Sequence, residues 1–158
     1  FRSVEENKAM IRRFYEQGAN ARNSAVITEL VAPDFIGHYP DVVAGFSGTS
    51  QGPESLMRDL EFIAAMVPDF RTTLEDLIGA GDKVALRGVT QGTHTGQIPG
   101  VPPTGNAVRF TWCAIYRFAD GRIAERWLND DALSTFQQLG MIPALPQPAS
   151  QMSQPAAA

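Results

Sequence analysis

Residues 122–140 read Arg-Ile-Ala-Glu-Arg-Trp-Leu-Asn-Asp-Asp-Ala-Leu-Ser-Thr-Phe-Gln-Gln-Leu-Gly. The first part is typical of a β-strand and the second of a short helix that ends at Gly140. Asp130 and Asp131 lie at the junction. An aspartate there suits a helix N-cap, at the positive end of the helix dipole. It also suits a general base, because it follows a core strand beside Trp127. From these residues alone, both interpretations stay open.

Length and composition indicate one soluble globular domain. The chain has 158 residues, of which 44% are hydrophobic, and a formal net charge of −4. That charge argues against a nucleic-acid surface, which needs a basic patch. No run approaches the roughly 18 apolar residues of a membrane span. The one cysteine, Cys113, excludes an internal disulfide and favours a reducing, cytoplasmic location; its apolar surroundings predict a buried thiol.

Apolar spacing along the chain predicts helices first and strands afterwards. The predicted helices are 5–17, with Ser3 as N-cap, 24–31, 53–67 and, at the end, 131–139. The predicted strands are 34–39, 70–78, 83–95, 107–118 and 122–128. Turn residues at 80–82 and 120–121 predict hairpins. The residues between 39 and 53 are expected to form a glycine-rich loop.

This order predicts an α+β fold with helices packed on one face of a curved, mostly antiparallel sheet. Both faces of the strand 107–118 are apolar, so a second cover is needed beyond the helices. A second subunit would supply it, and we expect a homodimer. Residues 1–142 are expected to form one domain, and residues 143–158, rich in Pro, Ala and Gln, a disordered tail.

Several catalytic motifs are absent from the sequence. There is no Walker loop, no dinucleotide-binding glycine pattern and no nucleophile-elbow serine. His38 and His94 are far apart and belong to no metal-binding pattern. We therefore expect no metal and no cofactor, which leaves acid–base chemistry in a pocket or binding alone.

The chain resembles the SnoaL-like polyketide cyclase family, within the nuclear-transport-factor-2-like superfamily. The order and spacing of short motifs over about residues 5–140 carry the resemblance. These motifs are Glu6-Asn-Lys-Ala-Met-Ile-Arg-Arg-Phe-Tyr15, Leu30-Val-Ala-Pro-Asp-Phe-Ile-Gly-His38, Gly52-Pro-Glu, Pro68-Asp-Phe, Gly81-Asp-Lys-Val, Gly92-Thr-His-Thr-Gly96, Pro102-Pro-Thr-Gly105, Asp120-Gly-Arg-Ile-Ala-Glu-Arg-Trp127 and Gln138-Leu-Gly140.

The resemblance implies a cone-shaped α+β barrel with an apolar pocket between sheet and helices, in a dimer. It also implies cofactor-free, aldol-type ring closure of an aromatic polyketide. The family's acid/base aspartate aligns with Asp131. Strand alternation groups Glu125, Trp127, Asn129 and Asp131 on one face, apart from Arg126, Leu128 and Asp130. We therefore expect Asp131 to be the base and Asp130 to be a cap or to face solvent.

Other residues are expected to complete the pocket. His38 and His94 are candidates to hydrogen-bond a substrate oxygen, although His38 could be a plain strand end and His94 could stabilise the proline-rich loop. Glu125 could instead pair with an arginine such as Arg87. The expected substrate-binding residues are Tyr15, Phe35, Phe110, Trp112, Glu125, Trp127 and Asn129.

Three other functions compete with ring closure. They are a hydroxylation-associated protein of an anthracycline-type pathway, a non-catalytic binder of apolar ligands, and a small unrelated isomerase or dehydratase that uses another carboxylate.

Overall fold

The computed structural model describes residues 2–40, 48–144 and 146. Within them lie four α-helices, one π-helical segment and six β-strands. The helices are α1 (Val4–Arg13), α2 (Ser24–Leu30), α3 (Pro53–Met66) and α4 (Ala132–Gln138), and the π-helical segment is Phe14–Ala19. The strands are β1 (Val31–Tyr39), β2 (Gly48–Gln51), β3 (Arg71–Ala80), β4 (Lys83–Thr93), β5 (Ala107–Ala119) and β6 (Arg122–Asp130).

Local sequence explains where α1 begins. The Ser3 hydroxyl accepts a hydrogen bond from the Glu6 amide at 3.2 Å, and the Glu6 carboxylate accepts one from the Ser3 amide at 2.6 Å. This reciprocal capping box confirms the predicted N-cap. The helix does not stop before Gly18, since it continues as the π-helical segment to Ala19.

The six strands form one curved, unclosed sheet in the order β2-β1-β6-β5-β4-β3. All neighbours are antiparallel except β1 and β6, which are parallel. The predicted α+β class and mostly antiparallel sheet are therefore confirmed. The short strand β2 lies in a segment predicted to be a loop, because its sequence, Gly-Thr-Ser-Gln, has little strand character. It forms a strand at the edge of the sheet by pairing with β1. Gly45 of the predicted loop and most of the predicted tail lie outside the described residues.

The helices cover one face of the sheet, here called the inner face. Alternate side chains of β5 lie on the inner face and pack into the core, among them the buried Val108, Ala114 and Tyr116. The other face, here called the outer face, is not covered by the helices. Cys113 lies there and is exposed, so the prediction of a buried thiol is wrong. Ile115, two residues further along the same face, is 44% exposed.

Candidate functional site

A cavity of about 250 Å³ lies between the inner face of the sheet and the helices. Its walls are mainly aromatic and aliphatic. They come from the π-helical segment, α3, α4 and the strands β1 and β3 to β6. The apolar lining residues include Phe14, Tyr15, Leu56, Leu60, Phe62, Ile63, Met66, Phe70, Phe110, Trp112, Leu128 and Phe136. The predicted pocket residues Tyr15, Phe110 and Trp112 are brought together here.

A glycine gives Trp112 its position in the wall. Gly88 of β4 lies directly opposite Trp112 in the β4–β5 register. A Cβ atom at Gly88 would lie 2.3 Å from Cζ2 of the indole, closer than real contacts allow. The indole therefore lies across β4, where its Nε1 donates to the Thr90 hydroxyl at 3.1 Å. The Thr90 and Thr72 hydroxyls are 3.0 Å apart, and both residues line the cavity.

A second polar group in the wall is built from three elements. The Arg126 guanidinium, on β6, donates through Nη2 to the Asp59 carboxylate of α3 at 3.1 Å and to the Tyr39 hydroxyl of β1. Tyr39 in turn donates to the same Asp59 oxygen. Burial, followed by the Asp59 charge, raises the pKa of Tyr39 to about 12, so Tyr39 is a neutral phenol at physiological pH.

Arg126 stays charged although it is only 6% exposed. Burial alone would lower its pKa, but the oxygens of Tyr116, Tyr39 and Asp59 outweigh that effect and raise it. Two further phenols lie close by: the hydroxyls of Tyr15 and Tyr116 hydrogen-bond to each other. Burial raises the pKa of Tyr15 well above the ordinary value, so this phenol is also neutral.

Asp130 is an acidic residue of the cavity wall, four residues after Arg126 on β6. It is the last residue of β6, pairs with Trp112 across the sheet and lines the cavity. Asp130 as a residue is exposed, like Asp131, yet enough protein surrounds the carboxylate that desolvation raises its pKa, with a smaller contribution from the Asp131 charge. A carboxylate of raised pKa beside an indole is suited to proton transfer.

Asp131 caps α4 instead. Its carboxylate accepts a hydrogen bond from the Ser134 amide at 3.2 Å, and its side chain is exposed. Asp130, and not Asp131, is among the residues that line the cavity. The predicted placement of the two aspartates is therefore wrong: the N-cap geometry fixes Asp131 outside the cavity, and the strand continues to Asp130 on the inner face.

Four further predicted site residues lie on the outer face. His38 Nε2 is 2.8 Å from the Glu125 carboxylate, and the His38 ring stacks on Trp127 with centroids 5.2 Å apart. Arg117 donates to the other Glu125 oxygen at 2.9 Å, so the partner of Glu125 is not Arg87. Asn129 is exposed on the same side. Glu125, Trp127 and His38 therefore form a cluster separate from the cavity.

The last two predicted residues, His94 and Phe35, do not line the cavity. His94 is fully buried and lies outside the cavity wall; its Nδ1 is 3.0 Å from the Thr104 hydroxyl and 3.3 Å from the Thr104 amide, which donates to it. It holds the proline-rich loop, as the alternative interpretation had it. Phe35 is fully buried in the core beneath the cavity, and does not line it.

Sequence reasoning missed Arg126, Asp59 and Tyr39, and assigned Asp130 elsewhere. Arg126 carried one signal: it shares a strand face with Leu128 and Asp130, and this face is the inner one. No such signal in the sequence pointed to Asp59 and Tyr39, because their partner, Arg126, lies in a distant element. Among the residues that the structure describes, no group of three or more His, Cys, Asp or Glu side chains could hold a metal ion. In the same residues, no helix is long and apolar enough to cross a membrane.

Fold and cavity define a class: α+β proteins with a cone-shaped, helix-covered sheet, like the nuclear-transport-factor-2-like proteins. The family model for SnoaL-like polyketide cyclases matches residues 9–139. The chain therefore belongs to the SnoaL-like polyketide cyclase family, as the sequence motifs implied. A search of curated proteins finds no match.

Solved structures agree with this membership. IdmH from Streptomyces antibioticus, a candidate polyketide cyclase, is 33% identical over 84% of this chain and 97% of its own, with a TM-score of 0.73. AclR from Streptomyces galilaeus, a candidate hydroxylase, is 25% identical over 92% of this chain and 87% of its own, with a TM-score of 0.75. A SnoaL-like protein from Jannaschia sp. CCS1, at 22% identity, covers 90% of this chain and 99% of its own, with a TM-score of 0.77, and supports the fold alone.

Proposed function

We propose that the protein is an acid–base enzyme that acts on an aromatic polyketide intermediate, with Asp130 as the proton acceptor. Aldol-type ring closure without a cofactor is the reaction that fits best. The observation that carries the proposal is the Asp130 carboxylate, which lines an otherwise mostly apolar cavity beside Trp112 and has a raised pKa.

One carboxylate is enough for the chemistry. Ionised Asp130 removes a proton from a carbon next to a carbonyl, and the carbanion forms as an enolate that conjugation with the aromatic rings stabilises. The enolate carbon attacks a second carbonyl, which forms the new carbon–carbon bond and an alkoxide. Protonated Asp130 then returns its proton to the alkoxide, which restores the ionised carboxylate. The raised pKa of Asp130 supports the first step, because a carboxylate with a raised pKa is a stronger base.

The test compares the two neighbouring aspartates. With 2-acetylanthraquinone in D₂O, we expect the wild-type protein to accelerate exchange of the acetyl protons, followed by NMR. Asp130→Asn should lower the catalysed rate about 10²-fold or more, in the range typical of general-base catalysis. Asp131→Asn removes one negative charge, as Asp130→Asn does, but leaves the proposed base in place, so it should retain most of the rate. If Asp130→Asn exchanges as fast as wild type, Asp130 is not the base.

Two other functions leave different signatures. The similarity to AclR supports a hydroxylation-associated role, in which the product would gain an oxygen atom, visible by mass spectrometry. A non-catalytic binder would bind the ketone with unchanged affinity in wild type and Asp130→Asn, and neither protein would accelerate exchange. Either result would replace ring closure as the proposed reaction.

We also infer a homodimer in which the outer face is covered by a second copy. Ile115 and Ile78 are 44% and 70% exposed, and large exposed apolar side chains on an uncovered sheet face favour association. Light scattering at micromolar concentration should give twice the monomer mass. Ile115→Glu should shift it toward the monomer, whereas Glu61→Gln on α3 should not. A wild-type monomer would contradict the inference.

A further inference from the structure

Arg126 has more donors than the protein uses. Within the part of the chain that the structure describes, Arg126 donates hydrogen bonds only through Nη2, and the acceptors are Asp59 and Tyr39. Nε is buried and has no partner. Buried polar groups are nearly always hydrogen-bonded, so unused donors on a side chain that is only 6% exposed need an explanation.

A purely structural role explains only part of this arrangement. The contacts of Nη2 join β6 to α3 and β1, and such a tie would stabilise the fold. Buried ion pairs, however, often add no stability over apolar residues of similar volume, because the charges must be desolvated. A structural tie also leaves Nε and Nη1 without a purpose, although Arg126 lines the cavity.

The donors that remain suit an oxygen with negative charge. Tyr39 gives its proton to Asp59, so neither group offers a donor to a ligand. The guanidinium is the cationic donor of the cavity wall, and its hydrogen bonds to ionised oxygens are shorter and stronger than those to neutral ones. The surrounding apolar side chains strengthen this preference by keeping the local dielectric low.

The strand sets the distance between this group and the proposed base. Arg126, Leu128 and Asp130 follow one another on the inner face, so the Cα atoms of the first and last are about 13 Å apart at strand spacing. Leu128 lies between them as an apolar support. A fused aromatic ring system laid along this strand would therefore reach both ends.

We propose that Arg126 binds an ionised oxygen of the substrate, a carboxylate or a phenolate, at the end of the ring system opposite the carbon that Asp130 deprotonates. The inference rests on the proposed function, because it takes the cavity to be the substrate site. It adds the substrate class: an aromatic polyketide that carries a free acid or an acidic phenol at one end.

The test uses matched aromatic probes, followed through quenching of tryptophan fluorescence. Anthraquinone-2-carboxylate should bind about tenfold more tightly than anthraquinone-2-carboxamide, as expected for one charge-assisted hydrogen-bonded pair. 2-Hydroxyanthraquinone, above the pKa of its own phenol, is compared with 2-methoxyanthraquinone. Preference in the first pair identifies a carboxylate, and preference in the second pair a phenolate.

Variants assign the preference to Arg126. Arg126→Met with Asp59→Leu removes the whole ion pair and should abolish the preference while the carboxamide still binds. Asp59→Asn keeps Arg126 and a partner for Tyr39 but removes the competing charge, so anion affinity should rise several-fold over wild type. A structural tie would not produce that increase. Arg117→Met, on the outer face, is the matched control and should leave the preference unchanged.

The outcomes separate the inference from the function on which it rests. If the wild-type protein binds carboxamide and carboxylate equally, and the methoxy and hydroxy compounds equally, the inference is overturned and the cavity remains a ligand site. If Asp59→Asn does not strengthen anion binding, the inference is overturned even when the double variant fails to fold. If no anthraquinone binds at all, both proposals fall together.

Discussion

The two faces of β6 carry similar residues in different settings. On the inner face, Arg126 and Asp130 line the cavity with Leu128 between them. On the outer face, Glu125 pairs with His38 and Arg117 at 2.8 and 2.9 Å. Glu125 thus has two nearby partners, whereas Asp130 makes no side-chain ion pair within the described residues.

Opposite pKa shifts follow from this difference. Desolvation raises the pKa of Asp130, whereas the hydrogen bond with His38, followed by that with Arg117, lowers the pKa of Glu125. Two carboxylates on one strand thus differ in their tendency to hold a proton. The strand face on which a carboxylate lies therefore decides how well it suits the role of a base.

The largest effect on stability is expected from substitution of Gly88, because the absence of a side chain there leaves space for the Trp112 indole on the inner face. Gly88→Ala would place a Cβ 2.3 Å from the Trp112 ring. Because the indole is rigid and hydrogen-bonded to Thr90, we expect a loss of about 2 kcal/mol in the free energy of unfolding, as for other overpacked cores. Urea denaturation followed by circular dichroism measures it.

A second substitution tests the cause. Trp112→Phe removes the ring atoms that the new Cβ would meet, so Gly88→Ala should cost less in that background than in wild type. Additive losses would show that the clash with Trp112 is not the source. The outer face should be unaffected in either case, and the light-scattering mass should stay the same.

The fold was predictable because its signals are local. The Ser3 capping box, Pro53 at the start of α3 and the Asp120-Gly121 turn each act within a few residues. Because most of the helices precede most of the strands in the chain, few ways of packing them together remain, and an α+β fold is the expected one. Both ends of β6 and the helix α4 were placed within two residues of their observed bounds.

The orientation of β6 was not predictable because a β-bulge changes the alternation. In the register with β5, Phe118 lies opposite Ile123 and Arg117 opposite Glu125, so β6 has one extra residue there. Strict alternation would group Ile123 with Glu125 and Trp127, yet Ile123 is buried with the core and Glu125 is outside. Which aspartate enters the cavity depends on that bulge.

The binding group at Arg126 depends on long-range contacts. Asp59 and Tyr39 lie far from it in sequence, and no periodicity links α3, β1 and β6. A charged residue on a strand face is normally assigned to solvent, because burial of a charge is costly without partners. Only the tertiary structure shows those partners, so sequence alone could not assign Arg126 to the cavity.

The smallest effects on stability are expected from the charges of Glu125 and Asp130. The two ionised carboxylates should affect the free energy of unfolding in opposite directions. Glu125 has a lowered folded-state pKa, so its ionised form stabilises the fold above the unfolded-state pKa, and that stability is lost as the pH falls through the folded-state value. Glu125→Gln should therefore cost up to about 1 kcal/mol at pH 7 and progressively less in acid.

Asp130 should respond in the opposite sense, because a raised pKa means that folding disfavours its ionised form. The penalty is present above the folded-state pKa and disappears below the unfolded-state pKa, so Asp130→Asn should leave stability at pH 7 unchanged or slightly higher. Denaturation midpoints measured from pH 3 to pH 8 compare both variants with the exposed control Glu61→Gln. If Asp130→Asn destabilised the protein at pH 7 as Glu125→Gln does, the ionised Asp130 would have a stabilising partner, and its case as the base would fail.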